Sequence, residues 1–552
     1  MGSGLPSFTE TSTITKIIRG WLDDDMRINP IETEKLLPND SSCCIILRHH
    51  GEVIGVGTAG VLSSNPIAEC AHLAFEEVMQ NKILRRLAPE MRSFALSSLS
   101  IELEIADAPE PSPIKNLNRF AQGLQSGVVG VGVRKGNSWA IRLPAELRLS
   151  PIQNTVIALE SLCIEVGVHP ATALSRQIPQ QDDVTMYTIP TITVVQDQSR
   201  GQVRKLVRGD ELVAITEIHP NTMNLVADLI ASHLITCLNN DGFVIGGYQP
   251  ETDSLSPPHA TVFVHVLVAA ALDVYASNAQ ALHRDDAIKT MNTILLTVSN
   301  QYKDGNSISN SVASAMVILS VPNESIANQF PDFLSRCKQQ VINSCKHLVN
   351  EGETALRPHE FAMLADAIAT ISISNKEDAD INTLANEVCL MCMKEVPLKS
   401  KMSTIPWIVD AQYKLAIDAA EQPAMQELLQ IALSAQIHEK DSDLLGGFSL
   451  VSGGTKIVDA RGIRIVPMLA QFSQTPNPNQ SKAIRALTKA IRFVMQLTTR
   501  EQRTHRFINP TLSKGGVRVA TWDASMPTEA SAMALFGISR AIEAFRVASK
   551  GN

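Results

Sequence analysis

Residues 221–275 constrain the fold of this chain most, because two helical patterns there flank a glycine-rich turn. In residues 221–238, apolar side chains recur at helical spacing on one face. Residues 260–275 are apolar nearly all round and are interrupted by His265, so this helix belongs inside a large domain. Its apolar core of roughly a dozen residues is shorter than the roughly 20 that cross a bilayer. The stretch predicts an outer amphipathic helix followed by an inner apolar one.

The same arrangement recurs to the C-terminus. Twelve candidate helices form six pairs, near residues 221–238, 260–276, 285–300, 307–319, 332–350, 358–373, 380–395, 404–419, 422–437, 459–473, 479–497 and 527–548. Several apolar members follow glycine-bearing loops such as Gly246-Gly247 and Gly446-Gly447. Six helical hairpins with apolar inner members predict an all-α domain, an α/α toroid, over residues 220–552. The alternative is an α-solenoid, because irregular repeats of roughly 40–60 residues would fit it as well.

The first 197 residues follow a different pattern, typical of an α/β domain. Apolar runs on both sides of His50-Gly51 predict a β-hairpin whose tip, Arg48 to His50, is solvated. Residues 127–143 predict a second hairpin. Residues 99–105 alternate strictly between apolar and polar side chains, which predicts a half-buried strand. Residues 198–219 are polar and are expected to link this domain to the helical one.

Several of these segments resemble the AMMECR domain family. The resemblance is carried by Pro109-Glu-Pro111, by the second hairpin ending in Leu143-Pro144, and by Leu159-Glu-Ser-Leu-Cys163. In the first hairpin the family usually has Leu-Arg-Gly-Cys-Ile-Gly, whereas this chain has Val53-Ile-Gly-Val-Gly-Thr58, in which only Gly55 matches. The resemblance implies an AMMECR-like fold over residues 1–197 in which that Arg and Cys pair is lost. It implies no reaction.

The helical part resembles the six-hairpin toroids shared by glycosidases, uronyl epimerases and terpenoid cyclases. Asp241-Gly-Phe243 and Leu445-Gly-Gly-Phe448 carry the resemblance, together with Pro257 and Asp459. Such toroids place their chemistry on the loops that lead into inner helices. The resemblance therefore implies catalytic candidates and ligand-binding candidates at those loops. The catalytic candidates are Asp410, Asp459 and Glu529, and the ligand-binding candidates are Tyr248, His259, Trp407, Arg461 and Trp522.

Each of these residues also has a purely structural interpretation. A glycosidase needs two carboxylates roughly 5 to 10 Å apart, and Asp410 with Asp459 or Glu529 would form such a pair. Alternatively, Asp459 is a helix N-cap with Arg461 as its local ion partner, and Glu529 is a first-turn acid. The sequence leaves both interpretations open.

Composition limits the classes of function. The net charge of −8 argues against nucleic acid or an anionic membrane as the main partner. Aromatic residues make up only 4% of the chain, which weighs against sugar or polyprene chemistry because such sites use aromatic faces. A terpenoid cyclase is disfavoured further, since the helical part lacks an Asp-x-Asp-Asp motif. Zinc-dependent prenyl transfer, which needs an Asp, Cys and His set, is disfavoured because no cysteine follows Cys392.

The nine cysteines form an odd set, and several lie within apolar helical patterns, which favours free thiols in a reducing cytosol. No signal-peptide pattern opens the chain. We therefore expect a cytoplasmic two-domain protein with no metal and no cofactor. Its expected role is binding or scaffolding, with a ligand crevice at the toroid mouth. The expected ligand is a small molecule or a glycan, and the second kind of partner considered is a protein. The alternative is a carbohydrate-active enzyme, a glycoside hydrolase or one resembling uronyl epimerases, that uses paired toroid carboxylates.

Overall fold

A computed structural model describes most of the chain and divides it into two compact units. The first unit comprises residues 1–212 and 502–508, and the second comprises residues 213–501 and 509–552. The described residues are 4–38, 41–60, 63–122, 124, 127–149, 155–179, 183–197, 201–301, 311–320, 329–352, 356–375, 377–416, 418–452 and 455–550. Residues 307–310 of one predicted helix lie outside these ranges.

The first unit is built on a curled antiparallel sheet. Its strands are β1 (Ser42–His49), β2 (Glu52–Ala59), β3 (Ser100–Ala106), β4 (Glu110–Ser112), β5 (Val129–Lys135), β6 (Ser138–Arg142), β7 (Val184–Gln196) and β8 (Val203–Leu206). They run in the order β2-β1-β3-β7-β5-β6, with β4 and β8 also paired to β7. Both predicted hairpins are confirmed.

Among the described residues, eight helices accompany this sheet. They are α1 (Phe8–Asp23), α2 (Pro66–Gln80), α3 (Lys82–Arg86), α4 (Pro89–Ser97), α5 (Leu117–Gln122), α6 (Pro144–Leu149), α7 (Thr155–Glu165) and α8 (Pro170–Leu174). Helix α1 begins with a capping box, in which Ser7 and Glu10 satisfy each other's backbone N–H groups. Helices α1 and α2 cover one face of the sheet with apolar side chains.

The prediction that residues 99–105 form a half-buried strand is wrong. Every residue of β3 is buried, including Glu102 and Glu104 at 1% and 0% exposure. The Ala145 N–H of α6 donates to Glu104, and Arg148 of the same helix pairs with Glu102. The polar face of the strand is therefore covered by charged and polar groups instead of water.

The prediction of a solvated hairpin tip is only partly confirmed. Arg48 is buried at 8% exposure, because its guanidinium turns back to the Gly51 carbonyl at 3.2 Å and approaches Glu102 at 3.9 Å. His50, in contrast, is exposed. His50 and Gly51 both have positive φ, 48° and 81°, as the tight turn requires.

The second unit contains the twelve predicted helices. They are α9 (Pro220–Thr236), α10 (Val262–Ala276), α11 (Arg284–Gln301), α12 (Ser311–Ser320), α13 (Pro331–Glu351), α14 (Pro358–Ser374), α15 (Ala379–Glu395), α16 (Trp407–Leu415), α17 (Pro423–Ala435), α18 (Val466–Gln474), α19 (Gln480–Leu497) and α21 (Thr528–Lys550). A short helix α20 (Pro510–Ser513) lies between the last two. Within the described ranges, no helix is long and apolar enough to cross a membrane.

These helices form two concentric layers. The inner helices α10, α12 and α14 pack in sequence, and α16 follows α14. The rings of Tyr413 and Phe472, 6.2 Å apart, join α16 to α18. Helix α21 then packs against both α18 and α10 and closes the ring. The α/α toroid is confirmed, and a closed ring rules out the open α-solenoid.

Candidate functional site

Two neighbouring inner helices bring predicted site residues to the same place in the second unit. A short 3-10 helix, Ala460–Ile465, leads directly into α18. Glu529 lies in the first turn of α21. Because α18 and α21 pack together, residues before one helix and in the first turn of the other border a common cavity of about 380 Å³. It is lined by Asp459, Ala460, Arg461, Arg464, Val519, Pro527, Glu529, Ala530 and Met533.

Asp459 and Arg461 are bound to each other within this cavity. Arg461 Nε donates to Asp459 Oδ2 at 2.9 Å, and Arg461 Nη2 lies 2.7 Å from the same oxygen. The Asp459 carboxylate also accepts the Arg461 backbone N–H at 3.0 Å and so caps the 3-10 helix. The hydrogen bond to Asp459 raises the pKa of Arg461. The structural interpretation of Asp459 as an N-cap with a local ion partner is confirmed.

Arg464 differs from Arg461 in its bonding, although it lies only three residues after Arg461 in the chain. Its Nε donates to the Arg461 carbonyl at 2.9 Å, and no ion pair joins it to any carboxylate of the described chain. Burial lowers the pKa of Arg464, and Glu529 opposes that effect. Arg464 and Glu529 therefore face one cavity with opposite charges and no direct bridge between them.

His359 lies near the arginines of this region. Burial is the main cause that lowers its pKa, and the nearby charges of Arg357 and Arg464 lower it further. Arg357 itself is largely exposed and paired with Glu360 at 2.6 Å. His359 is thus less readily protonated than an ordinary histidine, and it is not part of the cavity lining.

Asp410 and Trp407 lie elsewhere in the toroid. Asp410 is buried and pairs with Arg540 of α21 at 2.6 Å. The Arg540 guanidinium lies 4.3 Å from the centre of the Phe536 ring, and Trp407 packs against the same ring at 6.1 Å. Neither Asp410 nor Trp407 lines the cavity of Asp459 and Glu529. Their assignment to a site remains a prediction.

The remaining ligand-binding candidates are also outside that cavity lining. The Tyr248 hydroxyl donates to Asp253 at 2.6 Å, and burial raises the pKa of Tyr248. The His259 ring lies 5.2 Å from that of Phe243. Trp522 is partly buried. Of the eight predicted site residues, the cavity brings together Asp459, Arg461 and Glu529.

A buried ion cluster on the inner helices was missed from the sequence. Asp366 of α14 pairs with Lys414 of α16 at 2.7 Å, and burial raises the pKa of Asp366 to about 6 despite that lysine. The charge of Asp410 contributes to the same rise. The available signal was a single acid in the middle of the otherwise apolar helix α14.

Arg464 and Met533 are two of the six lining residues that were not predicted from the sequence; the others are Ala460, Val519, Pro527 and Ala530. Arg464 lies three positions after Arg461 on the same 3-10 helix, and Met533 lies one helical turn after Glu529. Helical spacing from the two recognised residues would have found both. Among the described residues, no group of three or more His, Cys, Asp and Glu side chains could hold a metal ion.

Comparisons with known proteins give similarity of fold and no more. No protein-family model matches the chain, and no curated protein matches it. The N-terminal segment resembles an uncharacterized protein from Pyrococcus horikoshii, with 15% identity over 36% of this chain and 97% of the other and a TM-score of 0.25.

The remainder of the chain is similar to six-hairpin glycosidase structures. One is an unsaturated glucuronyl hydrolase specific for heparin, at 8% identity over 59% of this chain and 98% of the other, with a TM-score of 0.45. Another is an alpha-1,6-mannanase from Salegentibacter sp., at 8% identity over 58% of this chain and 99% of the other, with a TM-score of 0.41.

Proposed function

We propose that the second unit binds a small polyhydroxylated ligand, a glycan or a related polyol, in the cavity at the toroid mouth. The observation that carries this proposal is that Arg464 and Glu529 line one cavity without forming an ion pair. A guanidinium only donates hydrogen bonds, whereas a carboxylate only accepts them. Neighbouring hydroxyl groups of a sugar both accept and donate, so one ligand satisfies both side chains.

The rest of the cavity fits the same class of ligand. Val519, Pro527 and Met533 supply apolar surface, against which the C–H face of a sugar ring packs. The volume of about 380 Å³ lies within the range of roughly 300 to 1,000 Å³ that is typical of small-molecule sites. Small-molecule sites usually have a mostly apolar lining with a few polar groups, and the lining of this cavity has the same composition.

Binding is better supported than catalysis. A glycosidase uses one carboxylic acid with a raised pKa as the proton donor. Two toroid acids, Asp273 and Asp366, have pKa values raised to about 6, and neither is part of the cavity lining. Asp459 is held by Arg461 in two ways. Neither Trp407 nor Trp522 is among the lining residues, so the aromatic face expected beside a sugar-cleaving pair is missing from this wall.

The alternative, a carbohydrate-active enzyme, rests on one observation. Asp459 and Glu529 are two carboxylates that line the same cavity. In this alternative Glu529 would act as the acid and Asp459 as the second carboxylate, after release of Arg461. The Asp410-based pair has no such support, because Asp410 lies outside this lining.

The test of binding starts with the purified full-length chain on an array of neutral and acidic oligosaccharides. Any glycan that binds is then titrated by calorimetry against wild type, Arg464→Gln and Arg357→Gln. We expect Arg464→Gln to weaken binding at least tenfold, because a hydrogen-bonded charged contact contributes about 1.5–3 kcal/mol. Arg357→Gln removes an exposed, paired arginine nearby and is expected to leave the affinity unchanged.

Two results would contradict the proposal. One is an array with no bound glycan, and the other is equal affinity in wild type and Arg464→Gln. Catalysis is tested separately by incubating the bound oligosaccharide with wild type and with Glu529→Gln and analysing the products by mass spectrometry. An intact oligosaccharide favours the binding role, and cleavage that stops in Glu529→Gln favours the enzyme.

A further inference from the structure

A seven-residue segment near the C-terminus is part of the first unit. Residues 502–508 cluster with residues 1–212, whereas the residues before 502 and after 508 belong to the second unit. The segment follows α19 and ends just before α20 (Pro510–Ser513). We call residues 502–508 the strap. The chain thus enters the first unit a second time, about 290 residues after leaving it at Leu212.

The backbone of the strap lies directly against the β1–β2 turn. A Cβ atom added at Gly51 would overlap the Phe507 carbonyl and would lie 2.7 Å from the Ile508 nitrogen. Gly51 also has φ of +81°, which favours glycine. Phe507 is buried at 1% exposure. Close approach of two backbones and a buried aromatic ring are typical of a peptide seated on a prepared surface.

The side chains of the strap complement acids of the first unit. Arg503 Nε lies 3.5 Å from Asp210 Oδ1, and both side chains are buried, at 4% and 6% exposure. Arg506 is buried beside Gly209, where an added Cβ would lie 2.8 Å from Arg506 Nη1 and 3.3 Å from Arg148 Nε. Glycine at position 209 therefore makes room for two guanidinium groups.

Glu102 is the buried acid at the centre of this surface. Burial alone would raise its pKa, but Arg148 and Arg48 outweigh burial, and with smaller contributions from His505 and Arg506 the pKa of Glu102 falls to about 2. Burial lowers the pKa of His505 to about 3. Both ring nitrogens of His505 are buried without a hydrogen-bond partner. The His505 contact is thus imperfect, which fits a docked segment better than an optimised core.

We propose that this face of the first unit is a peptide-docking surface and that the strap is its intramolecular occupant. The surface consists of Arg48, Gly51, Glu102, Arg148, Gly209 and Asp210. It fits an extended segment that carries two arginines, opposite the acids, and a phenylalanine against the turn. A peptide of the same chemistry, supplied from outside, occupies the surface when the strap is released.

The test uses the full-length chain and a fluorescein-labelled synthetic peptide of residues 500–510, followed by fluorescence anisotropy. Phe507→Ala removes the buried anchor of the strap, so we expect this variant to bind the peptide at least tenfold more tightly than wild type, whose surface is filled. The same peptide with alanine in place of its phenylalanine is the matched probe and is expected to bind weakly. Adding Gly51→Val to Phe507→Ala blocks the surface and is expected to abolish binding.

Hydrogen exchange separates a released strap from an unfolded unit. In Phe507→Ala, we expect faster exchange in residues 502–508 and unchanged protection in β3 and β7. A folded Phe507→Ala variant that does not bind the peptide would overturn the proposal, as would equal binding by wild type. Arg506→Gln is the milder second variant, and loss of fold in both variants would show that the strap is an integral core element, which also overturns the proposal.

Discussion

Arg461 and Arg464 lie on the same 3-10 helix, yet the structure gives them different tasks. Arg461 is bound to Asp459, so its charge is used within the loop. Arg464 has no such carboxylate partner in the described chain and faces the cavity with Glu529. The resemblance to toroid enzymes, which place their chemistry on loops before inner helices, implied Asp459, Arg461 and Glu529 as site residues. It could not rank them, because pairing depends on side-chain directions that a resemblance does not give.

Asp459 is expected to matter for stability through its cap. Asp459→Ala removes both the N-cap hydrogen bond and the partner of Arg461, and we expect it to lower the free energy of unfolding by about 1–2 kcal/mol. Asp459→Asn keeps a capping oxygen and is expected to cost less than about 0.5 kcal/mol. Urea unfolding of both variants measures the difference. Equal losses of unfolding free energy in the two variants would show that the ion pair with Arg461, and not the helix cap, stabilises the chain.

Asp366 provides a prediction with a defined dependence on pH. Its pKa is about 6 in the folded chain against an ordinary value of 3.8. A raised carboxyl pKa gives stability that is fully present below pH 3.8 and is lost as pH rises through 6. Asp366→Asn resembles the protonated form. We therefore expect it to stabilise the chain by about 1–3 kcal/mol at pH 7.5 and to have little effect near pH 4.

Urea unfolding of wild type and Asp366→Asn at both pH values checks this expectation. Lys414→Met is the companion variant, because it removes the positively charged partner of Asp366 and leaves the carboxyl group of Asp366 in place. A variant Asp366→Asn that is less stable than wild type at pH 7.5 would show that the pairing with Lys414 outweighs the cost of burial.

At the scale of elements, the helices were predictable and the burial of strands was not. Apolar periodicity placed the helices of the toroid within a few residues, except that residues 459–465 form a 3-10 helix before α18. Strand β3 has an equally clear alternation, but the face of Glu102 and Glu104 is buried. Its cover comes from α6 and, hundreds of residues further along the chain, from the strap. A local pattern carries no signal of such a distant partner.

Loop glycines give an element-scale prediction. Gly446 has φ of +89°, and a Cβ atom there would overlap the Lys489 carbonyl of α19. Gly446→Ala is therefore expected to lower the free energy of unfolding by about 2 kcal/mol or more, because strain and overlap add. Gly20→Ala, at an exposed position of α1 with open space around it, is the control and is expected to stabilise by up to about 1 kcal/mol. A stable Gly446→Ala variant would contradict the account of this loop.

At the scale of the whole molecule, the sequence predicted an α/β part and a toroid but not the way the chain is shared between them. The toroid could be predicted because six repeats of one hairpin pattern reinforce each other. The strap could not, because residues 502–508 read locally as a polar loop between two helices. The candidate site was likewise predictable only in part. Its position at the entrance to inner helices was predictable, whereas the cavity and its unbridged charges required the structure.

In the proposed function, a hydroxylated ligand binds between Arg464 and Glu529. The most direct measurement is hydrogen exchange of the full-length chain with and without a saturating amount of the best-binding oligosaccharide from the array. We expect slower exchange confined to residues 459–464 and 527–533, and no such change in Arg464→Gln. Protection elsewhere in the chain, with those two segments unchanged, would contradict the proposed function.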